Sequence, residues 1–501
     1  MLAFALFTCL ITTVDAYTWP NPQLEELDQI RFGLRTFDAD GNGGGIDVFV
    51  EPTCNQFLFD PNFQINGSHP GRTNAADWLR TAYHDMATHN VEDGTGGLDA
   101  SIRFAEEQAR SENAGTGFQN TITVIPSNRY VSISDFIAVA AVMAIEACGG
   151  PEIAYRGGRV DATEPNTAGV PRPEQDLDSH IASFSRQGFT QTEMIGLIAC
   201  GHTFGGVQHD PFPDIAPELN DTQNTMSVAH FDTTFHTFDN NVATEYIAGT
   251  TTNPLVVGLN DTTNSDKRIF SSDGNVTMRA FAESPELFRS TCGALFTRMI
   301  DTVPRGVQLT EVIAPLPVKP TVSYILDGAN LTLVTEVRFW NMSNETHTVN
   351  LILDDHAGVR GWARVNATLN ATTGATNMRF LVDGKLEDQG GLGFALQDGV
   401  VFSNSSCAYN ENLGRFDVAV RNDFNPSRVF LEQLGNVNTS PPIVSETDIP
   451  LPPPSSGAGY SIWSINLTDA RNFYTIGAEV DGVKITTAGR HGIFTLPPCD
   501  N

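Results

Sequence analysis

Basic residues are scarce. The 501-residue chain carries 29 lysines and arginines against 59 aspartates and glutamates, for a formal net charge of −30. That surplus argues against nucleic acid or an anionic membrane as a partner and favours affinity for cations. Long apolar runs are missing too. Beyond residue 16 none approaches the roughly eighteen residues needed to span a bilayer, and the polar end "LPPCDN" excludes a lipid-anchor signal. No glycine-framed serine elbow occurs, so the usual nucleophilic hydrolase is not expected. "DADGNGGG" (38–45) opens like a helix–loop–helix calcium loop, but Phe49 stands where a bidentate glutamate is required.

What is present starts with an export signature. "MLAFALFTCLITTVDA" (1–16) has an apolar core too short to cross a bilayer, with small Val14 and Ala16 at a cleavage site, although the n-region has no Lys or Arg. The mature chain is therefore expected to be soluble and secreted. Of the 7 cysteines, Cys9 leaves with the signal. Cys54, Cys148, Cys200, Cys292, Cys407 and Cys499 remain, and an even set in an exported chain points to disulfides. Twelve N-x-[ST] sequons, eight of them after residue 320, point to glycosylation concentrated in the C-terminal third.

The chain changes character once. Up to about residue 310 it carries helical patterns. "DFIAVAAVMAIEACGG" (135–150) is apolar on nearly every side with a glycine stop, and "TQTEMIGLIACGHTFGG" (190–206) opens with a Thr190/Glu193 capping box. "SPELFRSTCGALFTRMIDTV" (284–303) has a Ser-Pro start. "APLPVKP" (314–320) reads as a stiff linker, placed at 311–320. Beyond it, short alternating runs such as "LTLVTEVRFW", "HTVNLILDD", "RVFLEQL" and "YSIWSI" predict an antiparallel β-sandwich over 321–501. "SPPIVSETDIPLPPPSSGAG" (440–459) reads as a long Pro/Ser loop or second linker.

Two segments carry candidate chemistry. In "WLRTAYHDMATHN" (78–90), a helix puts Arg80 and His84 on one face with Tyr83 beside them. In "MIGLIACGHTFGG", His202 sits at the end of an apolar helix, where a neutral imidazole can ligate a metal. A haem iron needs this combination, a proximal ligand on one side and an acid/base group on the other.

These residues stand in a recognisable order. "LRTAYHD" resembles the distal motif, and "ACGHTFG" the proximal motif, of the plant, fungal and bacterial haem peroxidase superfamily. "GTGGLDASIRF", "ENAG" and "IAVAAVMAIEACGGPEIAYRGGRVDA" lie between them in family order. The resemblance covers the first 310 residues and none of 321–501. "GHTFG" and "GLDASIRF" look like the intracellular class, whereas signal and calcium spacing look like the secreted fungal class, so a hybrid ascomycete type fits.

The resemblance implies a mainly α-helical haem peroxidase domain over 17–310, followed by a β-sandwich-like domain. It further implies haem b, two calcium ions, and hydrogen peroxide reduction through a ferryl intermediate with oxidation of small, phenolic-type donors. Arg80, Tyr83 and His84 would line the distal side, with Asn113 fixing the tautomer of His84, and Asp273 in "IFSSDGNV" would accept from the outer nitrogen of His202. Distal calcium ligands would be Asp85, the Gly97 carbonyl, Asp99 and Ser101. Proximal ligands would be Thr203, Asp232, Thr234, the Thr237 carbonyl and Asp239. Cys54 and Cys148 sit where the fungal enzymes place a disulfide. Cys200 could bridge Cys292, leaving Cys407 with Cys499, or Cys200 could remain a free buried thiol.

Known electron-entry sites of the family are mostly absent. Of the three manganese positions, Thr73, Asp77 and Gln208, only Asp77 is a carboxylate, and Leu197 replaces the surface tryptophan. Small phenols reaching the haem edge, bordered by "VPRPEQDLD" (170–178), are the default donors. An alternative function lies in the C-terminal domain, as a cell-wall or matrix-binding glycoprotein with a residual or redox-sensing haem domain. There Trp340, Trp362 and Trp463 could stack on polysaccharide, although such residues more often form core.

Overall fold

The computed structural model describes residues 22–32, 71–118, 121, 130–340, 347–358, 360–363, 366–410, 412–434, 444–451, 459–468, 473–492 and 496–499. The signal segment, the 38–45 loop and Cys54 lie outside the described residues.

The N-terminal part is helical where the apolar spacing predicts it. Helix α1 is Pro22–Phe32 and α2 is Asn74–Met86. Thr73 caps α2 by accepting from the Ala75 amide at 3.2 Å, and Ala75, Trp78, Leu79, Ala82 and Met86 form its buried stripe. Helix α3, Ile133–Ala147, buries 13 of its 15 residues, including Phe136, Val139 and Val142. At about 1.5–3 kcal/mol for each large apolar side chain, α3 is the axis of this core. Helices α4 (Leu177–Arg186) and α5 (Gln191–Gly201) follow, and the Thr190/Glu193 capping box opens α5 as expected. Then come α6 (Asn241–Ala248), α7 (Ser265–Phe270), α8 (Val276–Glu283) and α9 (Pro285–Ile300). The Cys200–Cys292 disulfide ties α5 to α9. Cys148 is also disulfide-bonded.

The linker expectation needs correction. Strand β1, Val318–Asp327, already runs through its second half and pairs with β2, Asn330–Phe339, in a hairpin turned by Gly328 and Ala329. Ile313 is buried in the helical core and Lys319 is buried in β1. The prolines stiffen a packed crossover, not a free tether. The 440–459 segment is likewise not wholly loop, because Val444–Asp448 pairs with Arg428–Leu434.

The C-terminal part is β-rich but is more than one sandwich. A seven-stranded sheet contains β1, β2, β3 (Leu413–Arg421) and β5 (Tyr460–Leu467), and separate sheets of five and four strands accompany it. Strand period explains why there are two cores. On β3, Phe416, Val418 and Val420 point into a core with Val429 and Leu431 of β4 (Arg428–Leu434) and Ile476 of β6 (Phe473–Val480). Ala419 points the other way, to a core with Leu351, Leu353 and Phe380. The central sheet is therefore covered on both faces. Cys407–Cys499 closes the far end. Trp463 faces the first of these cores, and Trp340 packs edge-on against Phe32 of α1 at 4.9 Å. Both serve packing.

The helical and β-rich parts meet through a buried ion cluster. Nζ of Lys319 lies 2.5 Å from Asp28 Oδ2 and 2.8 Å from Glu25 Oε2, and Arg338 holds both Asp28 oxygens at 2.9 and 3.1 Å. Lys319 and Arg338 are cross-strand partners, so Asp28 separates two like charges. Among the described residues no helix is long and apolar enough to cross a membrane.

Candidate active site

Helical spacing builds the first wall. Arg80 and His84, one turn apart on α2, line a cleft of about 280 Å³ together with Tyr83. His84 is buried, and its Nδ1 lies 2.7 Å from Asn113 Oδ1, while the Asn113 amide donates to the Glu107 carbonyl at 2.8 Å. That amide orientation makes Asn113 Oδ1 an acceptor, so Nδ1 of His84 carries the proton and Nε2 is the free base. Burial first and the Arg80 charge second push the His84 imidazole well below its ordinary value, partly offset by Asn113. Arg80 donates to the carbonyls of Glu112 at 2.9 Å and Ala114 at 3.3 Å and stacks on Phe118 at 4.7 Å. Burial brings it down to about 10, so it stays cationic at neutral pH. Tyr83 stacks with Phe184 at 6.1 Å, and burial raises its phenol, which stays protonated.

The second wall comes from the end of α5. His202 caps the helix, its amide donating to Ile198 at 2.8 Å, and its ring stacks on Phe231 at 4.0 Å. Nδ1 lies 2.8 Å from Asp266 Oδ2, an oxygen that also accepts from the Asn253 amide at 2.8 Å. Asp273 is not that partner. It accepts from the amides of Val276 and Thr277 and the Thr277 hydroxyl, and so starts α8. Asp273 precedes a glycine in a turn, and a carboxylate there satisfies the free amides of the next helix. Asp266, in the first turn of α7, is buried and aimed inward. The only cue to it was its place in a short helix whose apolar residues, Ile269 and Phe270, are buried.

The residues fit a haem. Two imidazoles, each with its outer nitrogen already tied, share a cleft whose remaining lining includes Leu79, Phe184, Leu197, Phe204 and Met299. Val170, Pro171 and Pro173 border the cleft as the sequence predicts. A second cavity, about 680 Å³, is lined by Asp221, Asp232 and a single histidine, His230, whose Nε2 donates to the Gly71 carbonyl at 2.7 Å. Asp77 forms a buried ion pair with Arg72 at 2.7 Å and is not free for manganese.

The two expected calcium sites come out differently. At the proximal one, Asp232, Thr234 and Asp239 gather near Thr203, whose hydroxyl donates to the Asp239 carbonyl at 2.8 Å. Thr237 donates its amide to the Thr234 carbonyl at 2.7 Å in the same loop. Asp232 is 1% exposed, and its Oδ2 is buried with no hydrogen-bond partner. Burial, then the charges of Asp239 and Glu245, push its carboxyl up to about 7. An orphaned buried carboxylate among hydroxyls and carbonyls fits a hard cation.

The distal set is brought together but does not fit. Asp85 is spent on the amides of Asp99 (2.8 Å), Ala100 (2.6 Å) and Ile102 (2.9 Å). The amide nitrogen of Asn166 lies 3.0 and 2.8 Å from the two Asp99 oxygens and 3.0 Å from Ser101 Oγ. Gly97, at φ 125°, has no room for a side chain, since a Cβ there would meet the Thr302 carbonyl at 2.8 Å. Neither set holds three carboxylate, imidazole or thiol side chains grouped as metal ligands among the described residues, so it is the filled centre at Asn166 that separates the distal set from the proximal one.

Comparison with known proteins agrees with this geometry. Residues 64–284 match the family model described as peroxidase. The chain is 37% identical over 352 residues to a WSC domain-containing protein of Arthroderma benhamiae, a match over 68% of this chain and 46% of that protein. It is 34% identical over 131 residues to L-ascorbate peroxidase 5, peroxisomal, of Arabidopsis thaliana (25% of this chain, 46% of the relative). Cytochrome c peroxidase, mitochondrial, of Emericella nidulans shares 32% over 138 residues (26% and 38%). The chain thus spans about half or less of the length of these relatives.

Proposed function

We propose that residues 64–284, which match the peroxidase family model, are a domain of the plant, fungal and bacterial haem peroxidase superfamily, and that the protein is a secreted haem b peroxidase that reduces hydrogen peroxide and oxidises small phenolic-type donors. One observation carries the reading: the His84–Asn113 and His202–Asp266 pairs, 2.7 and 2.8 Å long, face one apolar cleft. Haem, when bound, supplies the iron at which the peroxide O–O bond is broken. His202 would hold that iron through Nε2, with Asp266 increasing its basicity.

The other groups move and balance charge. Nε2 of His84 takes the proton from one peroxide oxygen and returns it to the other, which leaves as water. Asn113 keeps Nε2 unprotonated for that task. Arg80 offsets the negative charge that grows on the departing oxygen. Tyr83 and Phe184 exclude water from the wall of the cleft. Donors would approach past Val170, Pro171 and Pro173, where a flat phenol finds apolar surface. A calcium ion at Asp232 and Asp239 would tie the loop after His202 to α6. The apolar leader, the six mature cysteines and the sequons support secretion and glycosylation.

The test is spectroscopic. The haem-loaded protein should lose and red-shift its Soret band with one equivalent of hydrogen peroxide and recover it with a phenol, and His84→Ala should lose the fast phase. A haem band unmoved by peroxide in the wild type rejects the reading.

A further inference from the structure

We propose that the side-chain amide of Asn166 does the work a distal calcium would do, so that the loop behind His84 is locked without metal. The distances decide it. Nδ2 of Asn166 sits among four oxygens, at 2.8 and 3.0 Å from Asp99, 3.0 Å from Ser101 Oγ and 3.3 Å from Thr88 Oγ1. A calcium ion needs its oxygens at about 2.3–2.6 Å, so this cage has N–H···O spacing and its centre is filled by nitrogen. A flipped amide would aim Oδ1 at two carboxylate oxygens, so the network fixes the nitrogen inward.

Most of the other lone pairs are taken as well, and Glu107 Oε2, buried without a hydrogen bond, faces Arg110 at 3.5 Å. Asp85 is saturated by three backbone amides, and its own carbonyl accepts from Thr88 Oγ1 at 2.8 Å. Asn166 is itself held at both backbone polar groups: its N–H donates to Glu107 Oε1 at 2.6 Å and its carbonyl accepts from Arg110 at 2.5 Å.

This makes Asn166 a positioning residue. From Asn166 the chain of bonds passes to Glu107, from the Glu107 carbonyl to Asn113, and from Asn113 Oδ1 to Nδ1 of His84. Asn166 therefore ties the end of α2 and the 99–101 loop through its side-chain amide, and the segment that sets the His84 tautomer through its backbone N–H. Only the link to His84 depends on the peroxidase reading; the metal content does not.

Calcium counting tests the proposal on the full-length haem-loaded protein, stripped with chelator and titrated with calcium. The wild type should bind no more than one ion, and Asp232→Asn, which removes the proximal carboxylate, none. Asn166→Asp should gain one ion and lose melting temperature in chelator, regained with calcium. A second ion in the wild type, or one remaining in Asp232→Asn, overturns the proposal without touching the peroxidase reading. Should Asn166→Asp fail to fold, the Asp232→Asn count decides alone. For positioning, Asn166→Ala keeps the N–H to Glu107 but loses the Asp99 and Ser101 anchors that hold that N–H in place, so it should shift the pH profile of the peroxide reaction and Asn166→Gln should partly restore it; an unchanged profile in Asn166→Ala removes the positioning role.

Discussion

Asp266 Oδ2 lies 2.8 Å from Nδ1 of His202 and is shared with the amide of Asn253, also at 2.8 Å. A buried carboxylate with these two partners both orients the imidazole and increases its basicity. Removal of such an outer partner typically costs about 10–100-fold in metal affinity. Asp266→Ala should weaken haem binding by that factor in a Soret titration. Asp273→Ala should leave haem binding unchanged and cost about 1 kcal/mol as a lost helix cap. The opposite pattern would return the role to Asp273.

The pH dependence should carry the mark of Arg80. His84 works as a base only when neutral, and burial and Arg80 depress its protonation in the folded protein. Folded protein therefore keeps the neutral ring as pH falls through the ordinary value of about 6.5, and the rate of reaction with hydrogen peroxide should hold below it. The unfolded chain takes up the proton first, so this histidine contributes stability above about 6.5 that is lost progressively as pH falls. Arg80→Gln removes one of the two depressing causes. Its acid limb should move to higher pH, with the maximal rate reduced. A limb that stays in place would show that Arg80 does not set the base.

The sequence disclosed the site through side chains whose chemistry is rare at that spacing, and failed where the signal was shared with ordinary structure. Arg80, His84 and His202 were legible because one helical face and one apolar helix end carried them, and Asn113 only through the resemblance of "ENAG" to a family motif. Asp266 was not, since one carboxylate among the 59 acidic residues looks like another until its burial is known. Asn166 was invisible for a related reason, because an amide in a Pro-Asn-Thr stretch reads as a turn. Asp85, Asp99 and Ser101 lie together in the structure, but oxygen-donor spacing cannot say what fills the centre between them. In the C-terminal part, period-2 alternation identified strands. It could not show that alternate faces of Leu413–Arg421 serve two cores, since the second face carries Arg415, Asp417 and Arg421 around the single buried Ala419.

Calcium should act on the proximal side alone. Asp232 Oδ2 is buried without a partner, next to the Asp239 charge, and a bound calcium ion, in place of a proton, removes the conflict. Calcium at a hundredfold over its dissociation constant adds about 2.7 kcal/mol to stability, so chelation should lower the melting temperature and calcium restore it. Asp232→Ala should remove that calcium-dependent increment. A variant still stabilised by calcium would place the ion elsewhere.

The ion cluster at Asp28 makes the helical and β-rich parts dependent on each other. Asp28 lies between Lys319 and Arg338, which face one another across the hairpin. Lys319→Met removes one charge and leaves Asp28 held by Arg338 at 2.9 and 3.1 Å, so its cost should be small. Asp28→Ala leaves two like charges together at a buried interface with Glu25 alone to offset them. Removing one partner from a buried charge network costs about 3–5 kcal/mol, and that is the expected loss here. Chemical unfolding followed by the fluorescence of the five tryptophans, Trp463 of the β-rich core and Trp78 of the helical core among them, and by the haem band should give coincident transitions in the wild type and separate ones in Asp28→Ala. Equal stability of the two variants would mean that the parts are held together by Phe32 and Trp340 and not by charge.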